Sequence, residues 1–289
     1  MTRQTSQAES SAPSPRRRRR PKNRARAWVQ GLSLVGLNLS FGPMATWQAK
    51  GVCLPVMNCH SCTLAIFGCP IGMLSHYAGY RVFPFLIAGM LLLAGALVGR
   101  FFCGWICPFG TLQDALYKIR TRKWTLPKWM PGIKYAVLGL MVFLFPWLWG
   151  ELTMASFCRW CPPTTLQVTV PNLISGAVDA ITPTMALRLG LMLLVFGLCV
   201  WYTRFFCRVL CPIGALMALS NHFSLWRVGP LRNRCVSCLA CDLKCPTRVS
   251  PGERLAVGRP ASRKADCVVC HDCTLGCVRA GIPLLSKSK

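Results

Sequence analysis

Four stretches of this 289-residue chain are apolar for close to the length a helix needs to cross a bilayer, roughly 20 residues. They run over residues 28–47, 82–102, 133–149 and 186–206. Gly31, Gly36, Asn38 and Pro43 interrupt the first, and Trp28, Trp47, Trp149 and Trp201 lie near span ends, where interfacial aromatics sit. Only 15% of residues are charged, too few for an ordinary soluble domain. The formal charge of +26 would suggest nucleic acid in a soluble protein. Here no basic-and-aromatic RNA-binding pattern accompanies it, and the positive-inside bias of membrane proteins accounts for it.

Charge distribution sets an expected topology. Lys and Arg concentrate in the N-terminal arm, in the segment 103–132 and in the tail from Cys207 onward. The segments 48–81 and 150–185 hold only Lys50, Arg81 and Arg159. The expectation is a multi-pass protein of a bacterial inner membrane, with both termini cytoplasmic and those two segments as outward loops. Residues 1–27 read as a disordered basic arm. A twin-arginine export signal is the rival reading, but no small-residue cleavage site clearly follows. Residues 28–228 read as a four-helix membrane domain and 229–289 as a small cytoplasmic domain.

The tail carries the sharpest chemical signal. Cys235, Cys238, Cys241 and Cys245 are spaced two, two and three residues apart, with Pro246 next. Cys267, Cys270, Cys273 and Cys277 repeat the spacing, with Val278 in the proline position. This is the pattern of bacterial two-cluster ferredoxins, in which the fourth cysteine of each run serves the other cluster. The expected sets are therefore Cys235, Cys238, Cys241 and Cys277 for one four-iron cluster, and Cys267, Cys270, Cys273 and Cys245 for the other. Structural zinc usually takes two separated Cys-x-x-Cys pairs and fits less well. Cys267-Val-Val-Cys270-His271 also matches a haem-attachment pattern, but inside a ferredoxin run on the cytoplasmic side.

A second signal is an internal repeat. RFFCGWICPFGTLQDAL at 100–116 returns as RFFCRVLCPIGALMALS at 204–220. Each copy carries Cys-x-x-x-Cys-Pro-x-Gly, giving Cys103 and Cys107, then Cys207 and Cys211. Both pairs are expected at the cytoplasmic membrane edge as a cofactor or redox site; two packed small residues at a helix break is the plainer alternative. The predicted outward loops hold Cys53, Cys59, Cys62 and Cys69, then Cys158 and Cys161. Disulfides are the default there, and a thiol-exchange or metal site the sharper alternative. Cys199 reads as a small core residue. Asp114 reads as a solvated helix-surface carboxylate, with quinol proton release as the functional option. His60, His76 and His222 read as interfacial. No nucleophile–base set, phosphate loop or nucleotide fingerprint is present.

Taken together, CGWICP at 103–108, CRVLCP at 207–212, CVSCLACDLKCP at 235–246 and CVVCHDCTLGC at 267–277 resemble the ferredoxin-type membrane proteins of the NapH and MauN kind. The likeness covers the chain from about residue 28. It implies two [4Fe-4S] clusters, quinone as a further ligand, and electron transfer between the quinone pool and a redox enzyme system of the nitrate-reductase or methylamine-utilisation type. Quinol dehydrogenase activity would follow from that role. Expected partners are the lipid bilayer and a redox protein, ferredoxin-type or periplasmic, with no nucleic acid. The alternative is a maturation factor that sends cytoplasmic electrons outward to disulfides or metal centres. The cysteine-rich outward segments set this chain apart from the NapH type.

Overall fold

Proline and glycine, more than hydropathy, decide where the helices begin and end. The computed structural model describes residues 23–38, 51–62, 65–150, 153–176, 182–228 and 240–276, and it is mostly helical. The helices are α1 (Arg24–Gly36), α2 (Pro70–Gly79), α3 (Phe85–Val98), α4 (Phe101–Trp105), α5 (Pro108–Leu116) and α6 (Met130–Trp149). They continue as α7 (Phe157–Trp160), α8 (residues 162–174), α9 (Pro183–Trp201), α10 (Phe205–Val209) and α11 (Pro212–Ser220). The tail adds α12 (Ala240–Lys244), α13 (Pro251–Ala256) and α14 (Asp272–Gly276).

Among the described residues, two helices rather than four are long and apolar enough to cross a membrane, α6 and α9. The predicted span at 82–102 is cut at both ends. Pro84 holds the start of α3 back to Phe85, and Gly99 ends it with a left-handed φ of +57°. Its 14 residues reach about 21 Å at 1.5 Å each, short of a bilayer core of about 30 Å. The predicted span at 28–47 yields only α1 among the described residues, its second half lying outside them. Asn23 caps α1 by accepting the Arg26 backbone N–H, so this helix already begins inside the segment read as arm. Leu86 and Leu93 on α3, Phe143 and Trp147 on α6, and Leu187 and Leu194 on α9 are exposed. An apolar outer surface of that extent marks an interaction with lipid or protein.

The segments read as outward loops fold into the body. Helix α2 packs on α3 and on the C-terminal half of α6, and α8 packs on α9. Cys53, Cys69 and Cys161 thereby join the same buried core as Cys103, Cys107 and Cys211.

The tail is docked rather than tethered. Trp105 Nε1 donates to the Val269 carbonyl at 3.1 Å, Asn221 Nδ2 to that of Cys267 at 2.8 Å, and Arg100 to that of Ala265 at 2.9 Å. Gly104 is required here, because a Cβ at this position would overlap the Val268 carbonyl oxygen.

Candidate functional site

The two repeat copies fold alike and interlock. In each, a short helix carries the first cysteine, the chain turns, and the second cysteine caps a nine-residue helix with proline at its first position. Proline suits that position, since its missing N–H would be unpaired there anyway. Cys103, Cys107, Cys207 and Cys211 are all buried. Cys211 lies within electrostatic range of Cys207, Cys103 and Cys107, so the four sulfurs share one site.

Two arginines close it by a reciprocal exchange. Arg100, first residue of the first copy, donates from Nη2 to the Cys207 carbonyl at 3.1 Å. Arg204, first residue of the second, donates from Nη1 to the Cys103 carbonyl at 3.0 Å. Both side chains are fully buried. Each has a carboxylate on its far side: Asp266 for Arg100 at 3.2 Å, and Asp114 for Arg204 at 2.7 and 2.6 Å. Lys134 adds to the first pair at 2.5 Å and Arg26 to the second at 2.5 Å. Asp114 is therefore the anchor of an arginine pair, not a solvated carboxylate. Gln113 bridges the copies, donating to Cys207 Sγ at 3.0 Å, and Cys199 lies beneath it with its thiol 3.6 Å from Gln113 Oε1.

This chemistry suits an anionic metal–thiolate group. Burial, together with Cys207 and Cys103, pushes the Cys107 thiol up to about 12, and burial raises Cys207 and Cys211 as well. Metal binding requires the thiolates, and buried thiolates need nearby positive charge. Arg100 and Arg204 supply it, and Arg100 Nε is buried without a hydrogen-bond partner among the described residues.

In the tail, Cys235, Cys238 and Cys277 lie outside the described residues. Of the rest, Cys245, Cys267, Cys270 and Cys273 line one small cavity, with Val228 and His271. Cys273 is within electrostatic range of Cys267, Cys245 and Cys241. Cys245, remote in sequence, thus stands beside the second run. His271 accepts from Trp226 Nε1 at 3.1 Å, which makes it part of the tail's packing. Among the described residues no three His, Cys, Asp or Glu side chains converge tightly enough to hold a single metal ion.

Among the described residues no disulfide forms, so Cys59 and Cys62, and Cys158 and Cys161, are not bridged. His60 lines a second small cavity with Cys59, Cys69, Cys158 and Cys161. Sequence reasoning missed Arg100, Arg204 and Gln113. The signal was available for the arginines: the same cation opens both repeat copies at the end of an apolar run, where charge is expensive.

The fold and the paired cysteines define a helical protein in which two like Cys-Pro units close one buried four-cysteine site. The chain matches the family described as a 4Fe-4S binding domain at residues 80–127 and 184–231, which contain the two Cys-Pro motifs and leave out the tail runs. It is 27% identical over 212 residues to an uncharacterised protein of Methanocaldococcus jannaschii, covering 73% of this chain and 75% of that one. It is 30% identical to the methylamine utilization ferredoxin-type protein MauN of Paracoccus denitrificans, covering 60% and 58%. It is 26% identical to the regulatory protein NosR of Stutzerimonas stutzeri, covering 65% of this chain but 25% of NosR. No solved structure matches. The chain is thus similar to ferredoxin-type electron-transport proteins of the MauN kind.

Proposed function

We propose that this protein is a membrane-bound iron–sulfur electron carrier that moves single electrons between the quinone pool and a redox enzyme system. The observation that carries the reading is the set of four buried cysteines, clasped by reciprocal arginines, inside the two segments that match a 4Fe-4S binding family. In the tail, Cys267, Cys270, Cys273 and Cys245 would hold one cluster, and Cys241 with Cys235, Cys238 and Cys277 the other. The shared cavity of the first set, with its cross-run cysteine, supports that assignment. When bound, such clusters store and release one electron each, at potentials set by hydrogen bonding and exposure. The chain's own residues do the rest. Arg100 and Arg204 offset thiolate charge, Gln113 hydrogen-bonds a sulfur, and Trp105 and Asn221 hold the tail against the Cys-Pro site.

An apolar groove of about 910 Å³, lined by Leu74, Leu91, Phe143, Leu216 and Ser220 among others, supports the quinone link. Its volume falls in the usual range for small-molecule sites. Helices α6 and α9 and the exposed apolar faces support a place in the inner membrane, with the basic termini and tail cytoplasmic. The basic face would dock an acidic redox partner.

The test is anaerobic purification of the full chain, metal analysis, and EPR before and after adding quinol. The expected result is at least about eight irons and eight sulfides per chain, from the tail's two cubanes, and cluster signals that respond to quinol. Iron near zero with stoichiometric zinc would sink the reading.

A further inference from the structure

The helix-capping Cys-Pro device occurs four times among the described residues, not twice. Cys69-Pro70 and Cys161-Pro162 repeat what Cys107-Pro108 and Cys211-Pro212 do. All four cysteines cap a helix in extended conformation: φ, ψ are −75°, 124° at Cys69, −62°, 116° at Cys107, −67°, 121° at Cys161 and −73°, 115° at Cys211. All four put proline at the first helical position. In all four the sulfur accepts the backbone N–H three residues on: Gly72 for Cys69, Gly110 for Cys107, Thr164 for Cys161 and Gly214 for Cys211. The tetrapeptide Cys-Pro-Ile-Gly is shared between 69–72 and 211–214.

The two extra copies converge as the first two do. Cys59, Cys69, Cys158 and Cys161 line one small cavity. Cys161 is within electrostatic range of Cys158, Cys69 and Cys59, and Cys69 of Cys59 and Cys53. Cys59 is tied to the opposite wall twice. Its backbone N–H donates to Gln167 Oε1 at 2.7 Å, and its thiol lies 3.5 Å from Thr164 Oγ1 in the first turn of α8. Met57 separates the two sites: it lines this cavity, and its backbone N–H donates to Cys107 Sγ.

We propose that Cys59, Cys69, Cys158 and Cys161 form a further iron–sulfur cluster site, back to back with the Cys103, Cys107, Cys207 and Cys211 site. Four cysteines around a cavity, each Cys-Pro sulfur served by a backbone N–H, suit a cluster with four thiolate ligands. A single ion would need its ligands closer, and no such convergence exists among the described residues. The inference rests on the iron–sulfur reading above and extends it to residues outside the two matched segments.

The experiment compares the anaerobically purified full chain with C59S/C161S and, separately, C62S, by iron and acid-labile sulfide content and by EPR of the dithionite-reduced protein. The double variant is expected to lose about four irons and four sulfides, the content of one cubane, while the tail signals persist. Cys62 does not line the cavity, and C62S is expected to keep full content. Unchanged iron in C59S/C161S overturns the site, and so does loss in C62S alone. Absence of iron from the unaltered protein would instead defeat the broader reading. If the double variant does not fold, the unaltered chain answers by timed alkylation during chelator treatment. Alkylation of Cys59, Cys69, Cys158 and Cys161 only in step with iron release supports the site; alkylation of all four while every iron is retained overturns it.

Discussion

Arg100 and Arg204 bring two full charges into the centre of the protein, and their carboxylate partners make that tolerable. Taking an ion out of water costs several kcal/mol, and a buried pair recovers this only with good geometry and satisfied hydrogen bonds. Arg204 meets those terms, with two bonds to Asp114 and one to the Cys103 carbonyl. Removing one partner is the damaging change. D114N is expected to destabilise the folded chain by about 3–5 kcal/mol, read by chaotrope unfolding in detergent; a loss below about 1 kcal/mol would show that Arg204 finds another partner. The same pairs set an acid limit. Burial raises the Asp114 carboxyl, but Arg204 and Arg26 outweigh it and hold it below the ordinary 3.8. Burial likewise raises Asp266, and Arg100 and Lys134 hold it down. A carboxyl with a depressed folded value stabilises fully above its unfolded value and loses that contribution as pH falls through the folded one. Stability owed to these two groups should therefore be level from pH 7 to about 5 and fall below about 4. A melting temperature unchanged between pH 5 and pH 3 would contradict the pairing.

At the scale of elements, close approach between repeat copies depends on glycine. A Cβ on Gly214 would lie 2.7 Å from the Cys207 carbonyl and 3.1 Å from Arg100 Nη2, whereas one on Gly190 in α9 would meet nothing within 4 Å. G214A is expected to cost about 1–3 kcal/mol and to reduce metal content. G190A should be neutral or slightly stabilising in the same unfolding and metal assays, since alanine favours a helix interior. Equal behaviour of the two variants would remove the argument. The same elements show what could be read in advance. The repeat, its cysteines and the spans α6 and α9 were legible because each is a local pattern of apolar run, proline and spacing. The copies at Cys69 and Cys161 were not, because the spacing before each proline differs and low charge suggested an outward loop. The partners of Arg26 were not either: Asp114 and Asp272 lie 88 and 246 residues away, and no local pattern links them. The lost span at 82–102 was a matter of punctuation, Pro84 and Gly99 counting for more than mean hydropathy.

Over the whole molecule, buried cysteines from the tail, the repeat and the segments read as outward loops form one sequence of neighbours within a shared core. Cys270 shares a core with Cys103 and Cys107, and the same core contains Cys53, Cys69 and Cys161. If electrons use that sequence, the seam between the tail and the Cys-Pro site governs the rate, because transfer falls steeply with separation. Gly104 sits on the seam against the Val268 carbonyl. A side chain there has no room while the tail is docked, yet position 104 belongs to none of the cysteine sets. G104L should therefore separate the tail without emptying it. Dithionite should still reduce its clusters fully, and the EPR signals should keep their shape. Quinol should reduce them more slowly than in the unaltered chain, and protease should cut the tail sooner. The pairing of those results is what matters: a slower quinol step with intact clusters places the Cys-Pro region on the electron path, whereas an unchanged quinol rate with a protease-sensitive tail would show that the tail exchanges electrons without it.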